Sequence, residues 1–161
     1  MVTRLDSAPL LNFIIDRINI GVFVLNKNSD IVLWNHFMET HSGLSAKEVV
    51  GKNLFEVFSE LPRKWLERKI KSVFILKNFA FTSWEHRPYL FKFPHNRPVT
   101  GGVDFMRQNC TFLPVKNGEG DVDYVCMTLI DATDTSIYQN MMQDAVTQLN
   151  EASNRDGLTG V

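Results

Sequence analysis

The sequence predicts an α+β domain: a five-stranded sheet with short flanking helices, an N-terminal helix and a long C-terminal helix. Three observations carry this prediction. Two short β-branched runs lie early in the chain on either side of a polar turn, and three more apolar runs follow a basic, amphipathic stretch. The last twenty or so residues abandon the strand pattern for helical spacing. With 161 residues and 44% hydrophobic composition, the chain suits one globular domain with flanking helices.

From Ser7 to Asn19, Leu10, Leu11, Phe13, Ile14, Ile15 and Ile18 fall on one broad helical face. Ser7 is placed to cap this helix and Pro9 to lie in its first turn. Gly21–Leu25 and Asp30–Trp34 read as a hairpin closed by Asn26-Lys27-Asn28-Ser29. Asn35 then has the chemistry to cap a short helix ended by Gly43, and Ser45-x-x-Glu48 has capping-box spacing for the next. Pro62 to Leu76 sets Trp65, Leu66, Ile70, Val73 and Phe74 against Arg63, Lys64, Glu67, Arg68 and Lys71, a longer amphipathic helix suited to packing on a sheet.

Three further strands are expected at Phe79–Glu85, Phe105–Val115 and Val122–Asp131, the last two joined by a turn at Lys116–Asp121. Between the third and fourth, Arg87–Val103 holds three of the six prolines and Gly101-Gly102, which predicts a long loop. Beyond Asp134, Tyr138, Met142, Ala145, Leu149 and Ala152 step by alternating fours and threes, the spacing of a short heptad seam. So short a seam needs a partner helix to hold it.

A net charge of −1 gives no electrostatic footprint for nucleic acid or an anionic membrane. The basic run Arg63 to Lys71 is read as a solvated helix face. Cys110 and Cys126 match neither a disulfide framework nor a zinc pattern, so free thiols in a reducing, cytoplasmic compartment are expected. No apolar run reaches the length of a membrane span, and the start lacks a leader pattern.

Several stretches together resemble the PAS family of sensory domains. They are Ile20-Gly21-Val22-Phe23-Val24-Leu25, the turn before Ile31-Val32-Leu33-Trp34-Asn35, Ser42-Gly43-Leu44-Ser45-x-x-Glu48-Val49-Val50-Gly51-Lys52, the turn Asn117-Gly118, and Asp131-Ala132-Thr133. The resemblance implies the PAS fold, a five-stranded antiparallel sheet curved around a small pocket, and departs from it in the long insertion at 87–103. It also implies that Asp131 and Thr133 form the relay between the last strand and a signalling helix. At the far end, Asp156-x-Leu158-Thr159-Gly160 resembles the opening motif of GGDEF domains, the diguanylate cyclases that condense two GTP into cyclic di-GMP. The organisation expected is an N-terminal amphipathic helix over 1–18, a PAS domain over 19–133, a signalling helix and coiled-coil linker over 134–155, and the start of a truncated GGDEF domain over 156–161. A homodimer with a GGDEF domain in cis is the partner arrangement this implies.

No catalytic or metal site is expected within the chain. Gly101-Gly102-Val103-Asp104-Phe105 resembles a cyclase signature, but it precedes the opening motif and lacks the paired acids, so it is set aside. Asn109-Cys110-x-Phe112-Leu113 resembles the flavin-adduct motif of LOV domains but falls in a strand, and a buried structural cysteine is the better reading. Haem is disfavoured because residues 62–76 contain no histidine; His36, His41, His86 and His95 lie elsewhere. A small organic ligand is left as the candidate cofactor. By the resemblance, Trp34 and Met38 face the pocket, with Trp84 on the third strand and Phe112 and Met127 on the next two. Trp34 and Trp84 are suited to stacking a flat ligand or holding a cation, or simply to packing in the core.

Overall fold

The computed structural model describes residues 4–98 and 102–159. Helix α1 (Arg4–Arg17) leads into β1 (Gly21–Leu25) and β2 (Ile31–Trp34). Short helices α2 (His36–Ser42), α3 (Ala46–Val49) and α4 (Leu54–Val57) follow, then the long α5 (Arg63–Leu76). Strands β3 (Ala80–Thr82), β4 (Gln108–Lys116) and β5 (Val122–Asp131) complete one antiparallel sheet in the order β2-β1-β5-β4-β3, and α6 (Thr133–Thr159) ends the described chain.

Asparagines close both hairpins by the same device. Asn26 Oδ1 accepts from Asn28 N and Asp30 N, and Asn117 Oδ1 accepts from Glu119 N and Asp121 N. Between β2 and α4 the capping expectations hold: Asn35 caps α2, Gly43 ends it with φ 77°, and Ser45 and Glu48 make both bonds of a capping box. Asn53 adds a further cap on α4.

Alternate residues of β1, β4 and β5 turn inward, so Phe23, Leu25, Cys110, Phe112, Val125, Met127 and Leu129 form one buried layer beneath α5, which contributes Leu66, Ile70 and Val73. Gly21 sits where any Cβ would come within 2.6 Å of Met38 Sδ and 3.1 Å of Leu129 Cβ, so a glycine lets α2 close on the sheet.

Four expectations need correction. Helix α1 begins at Arg4, so Ser7 is not its cap and Pro9 lies inside it. Strand β3 stops at Thr82, because the chain turns there, with His86 N and Arg87 N both donating to Ser83 O; Trp84 is therefore in a turn. Strand β4 begins at Gln108, since the preceding residues are held by the long loop instead: Met106 N donates to Phe93 O and Gln108 N to Pro88 O. Helix α6 runs on through Thr159, past the expected boundary at 155 and into the segment 156–161; Gly160 and Val161 lie outside the described residues. So do residues 1–3 of the expected lead segment, and residues 99–101 of the loop, including Gly101 of the set-aside signature.

Candidate functional site

Four of the five expected ligand-facing residues meet in the core. Trp34, Met38, Phe112 and Met127 are all buried within one cluster. The Trp34 indole is oriented by its Nε1, which donates to Leu44 O at 3.1 Å. Trp84 does not join them; it is only half-buried, and its backbone N donates to Asn109 Oδ1 at 2.9 Å.

The long loop fills this core. Leu90, Phe91 and Phe93, all from the 87–98 stretch, are buried in the same cluster. Phe91 packs edge-on against Phe58 at 5.1 Å, Phe23 at 5.7 Å and Trp34 at 6.3 Å, and stacks on Phe93 at 5.0 Å. Edge-to-face rings at these separations add favourable quadrupole contacts to ordinary burial.

A single polar side chain holds this aromatic plug. Gln108 is 1% exposed; its Oε1 accepts from Leu90 N and Phe91 N, and its Nε2 donates to Phe91 O at 2.8 Å. Leu90 N and Phe91 N find their acceptor in this amide, and Phe91 O, which also accepts from Phe93 N, gains a second donor. Sequence reasoning missed Gln108, although a lone amide at an inward-facing strand position is the signal that marks it.

The same loop reaches the start of α6. Asp131 Oδ1 accepts from Thr133 N at 2.9 Å and from the Thr133 hydroxyl, while Thr133 Oγ1 in turn accepts from Arg107 N. Asp131 Oδ2 accepts from Arg97 Nη2 at 2.7 Å, and Arg97 Nε donates to Asp134 Oδ1 at 2.8 Å. Burial works against ionisation of Asp131, but the Thr133 bonds and the Arg97 charge outweigh it and hold the carboxyl below the usual range. Near this junction His41 lies against Phe37 and Phe93; burial lowers its pKa, with Asp131 opposing and Arg97 adding to the shift. Arg97 was absent from the sequence expectations, whereas Asp131 and Thr133 stand at the expected strand-to-helix handover.

At the start of β1, which pairs with the end of β5, Asn35 is more than a cap. It is 2% exposed, and its Oδ1 accepts from Val22 N and Met38 N while Nδ2 donates to Ile15 O and Ile20 O, both at 2.9 Å. One side chain thus ties α1, β1 and α2 together.

Helices α1 and α6 leave apolar faces uncovered. Leu10, Leu11, Phe13 and Ile14 of α1 are exposed, as are Tyr138, Met141, Met142, Val146 and Leu149 of α6. The expected seam residues Tyr138, Met142, Ala145, Leu149 and Ala152 all face solvent.

The Cys110 thiol lies inside β4, where burial pushes its pKa up to about 12, and burial also raises that of Cys126. No histidine lies on α5. Among the described residues no group of three His, Cys, Asp or Glu side chains is arranged to hold a metal ion.

A family model described as the PAS fold matches residues 10–132. No curated protein matches the sequence. Among solved structures, a sensory box sensor histidine kinase from Vibrio cholerae is 26% identical with a TM-score of 0.56, over 79% of this chain and 93% of that one. The PAS domain of Bordetella pertussis BvgS is 16% identical with a TM-score of 0.57, over 89% of this chain and 98% of that one. An RNA-binding Light-Oxygen-Voltage receptor is 16% identical with a TM-score of 0.65, over 92% of this chain and 40% of that one; it and BvgS bear on the fold alone.

Proposed function

The chain belongs to the PAS-fold family, and from that premise we propose that it is a sensory and dimerising domain controlling a diguanylate cyclase joined to its C-terminal helix. The observation that carries the sensory part is the Arg97–Asp131–Asp134 bridge. It links the loop that fills the core to the first turn of α6, so displacing the loop changes what holds the helix. The relay assigned to Asp131 and Thr133 then has a physical form: the carboxylate fixes the exit angle of α6 only while its partners stay in place.

The cyclase part rests on the motif Asp156-x-Leu158-Thr159-Gly160, whose first four positions continue α6 without a break. Two cyclase domains must meet to act on two GTP molecules, and a helix pair closing along Tyr138, Met142, Ala145, Leu149 and Ala152 sets whether they do. No described helix is long and apolar enough to cross a membrane, and the proposal places the domain in the cytoplasm. Cyclic di-GMP formation from GTP by the full-length protein is the test, with Leu149→Pro alongside. Cyclase activity altered by the proline is expected. A wild-type protein that makes no cyclic di-GMP overturns the enzyme assignment, and unchanged output in the variant overturns the coupling.

A second reading, a dimerisation module that takes no ligand, is favoured by the filled core: Trp34 and Phe58 stack directly on each other at 5.5 Å and Phe91 packs edge-on against both. Native mass spectrometry of the protein as purified separates the two, because a sensing domain carries added mass or gains it from a metabolite extract. A flavin or haem sensor is disfavoured by Cys110 lying in a strand and by the lack of histidine on α5; a visible absorption band in the purified protein would restore it.

A further inference from the structure

A cleft outside the core, between α5 and β3, has the chemistry of an anion site. It encloses about 410 Å³ and is lined by Trp65 and Lys69 from α5, Phe81 and Thr82 from β3, and Ser83, His86 and Arg87 from the turn that follows. That turn is fixed by the two bonds to Ser83 O and by Trp84 N on Asn109.

Two cations converge on one ring. The Arg87 guanidinium carbon stands 4.3 Å from the centre of the Trp65 ring, and Lys69 Nζ stands 5.5 Å from it. Both side chains are half-buried, and among the described residues neither pairs with a carboxylate. Half-burying two like charges together is unfavourable unless an anion joins them. Arg87 lies over the Trp65 ring, and its guanidinium N–H groups have no hydrogen-bond partner among the described residues, which leaves them for a bidentate acceptor. The same helix carries further positive charge: Lys64, Arg68 and Lys71 line a second depression with Glu67, which is already paired with Arg63.

We propose that this cleft binds a small phosphorylated aromatic molecule, with Arg87 and Lys69 on the phosphate and Trp65 and Phe81 beside the ring. Two cations match a dianion better than a monoanion, the Thr82 and Ser83 hydroxyls supply further donors, and the volume falls within the range of small-molecule sites.

The test uses phenyl phosphate as the probe, titrated into the 15N-labelled protein and followed at the tryptophan indole and arginine Nε–H signals. Saturable shifts at Trp65 and residues 83–87 are expected. They weaken about tenfold in Arg87→Ala, the size of one lost charge-assisted hydrogen bond, and persist in Arg63→Ala, outside the cleft. Circular dichroism checks that the variants fold; Lys69→Met reports on the same site should Arg87→Ala fail to. No saturation in the millimolar range, or equal binding by both cleft variants and wild type, overturns the proposal. Benzoate binding as tightly as phenyl phosphate overturns the preference for a dianion. Polyglutamate binding without any response to phenyl phosphate overturns it in favour of an acidic protein segment.

Discussion

Arg97 and Asp131, 34 positions apart, meet at 2.7 Å, and the same guanidinium reaches Asp134 at 2.8 Å, so one side chain spans the loop, the end of β5 and the first turn of α6. The two bonds differ in worth. Asp131 is largely buried and also receives two bonds from Thr133, whereas the Asp134 side chain is 65% exposed and its pairing is screened by water. Asp131→Asn, which keeps the shape and removes the charge, is expected to lower unfolding stability by about 1–3 kcal/mol in urea melts. Asp134→Asn should change it by less than about 1 kcal/mol. Equal losses for the two would contradict the geometry.

The pH response follows from the same neighbourhood. Asp131 has a folded pKa below its unfolded value near 3.8, so its stabilisation is complete above that value and is lost as the pH falls through the folded pKa. His41 acts earlier in an acid titration. Its folded pKa lies below the ordinary 6.5, so as the pH drops under 6.5 the unfolded chain takes up a proton that the folded chain resists, and stability declines. Chemical melts should show two declines as the pH falls, one starting below 6.5 and one starting below 3.8. His41→Gln removes the first and Asp131→Asn the second; a first step that survives His41→Gln assigns it to another group.

Phe91 is the residue to remove to learn whether the core accepts a guest. Phe91→Ala is expected to cost about 3–5 kcal/mol and to leave an apolar cavity among Phe23, Trp34, Phe58 and Phe93. Such a cavity stays dry and takes small apolar molecules. Indole or benzene should therefore raise the melting temperature of Phe91→Ala and leave the wild type unchanged. If neither compound stabilises the variant, the loop has collapsed into the space.

Local chemistry made much of this structure legible in the sequence, and distance hid the rest. The Asn26 and Asn117 turns, the Asn35 cap and the Ser45–Glu48 box involve partners within four residues, so their spacing announces them. Gln108 and Arg97 act on groups 17 and 34 residues away, and no local pattern records such a pairing. Trp84 was misplaced because aromatic residues continue past Thr82, while the strand ends on a bond to the side chain of Asn109, 25 residues on. The candidate pocket suffered similarly. Trp34, Met38, Phe112 and Met127 share one buried cluster, yet Phe91, which packs within it, comes from a proline-rich stretch that reads as an open loop.

The uncovered faces of α1 and α6 supply the final expectation. Leu149 is 69% exposed and Met142 68%, two turns apart on α6, and Phe13 of α1 is 63% exposed, values unusual for large apolar groups unless a second copy covers them. Burying one leucine at an interface is worth about 1.5–3 kcal/mol, so Leu149→Asp should weaken self-association at least tenfold. Light scattering after size exclusion, over a range of concentrations, reads this directly. Gln143→Asp, off the seam, introduces the same charge and should leave association intact. Leu149 contacts no buried part of the core, so the melting temperature of the dilute monomer should be the same in all three proteins. A wild type that stays monomeric at every concentration would instead leave the α6 seam to a partner other than its own copy.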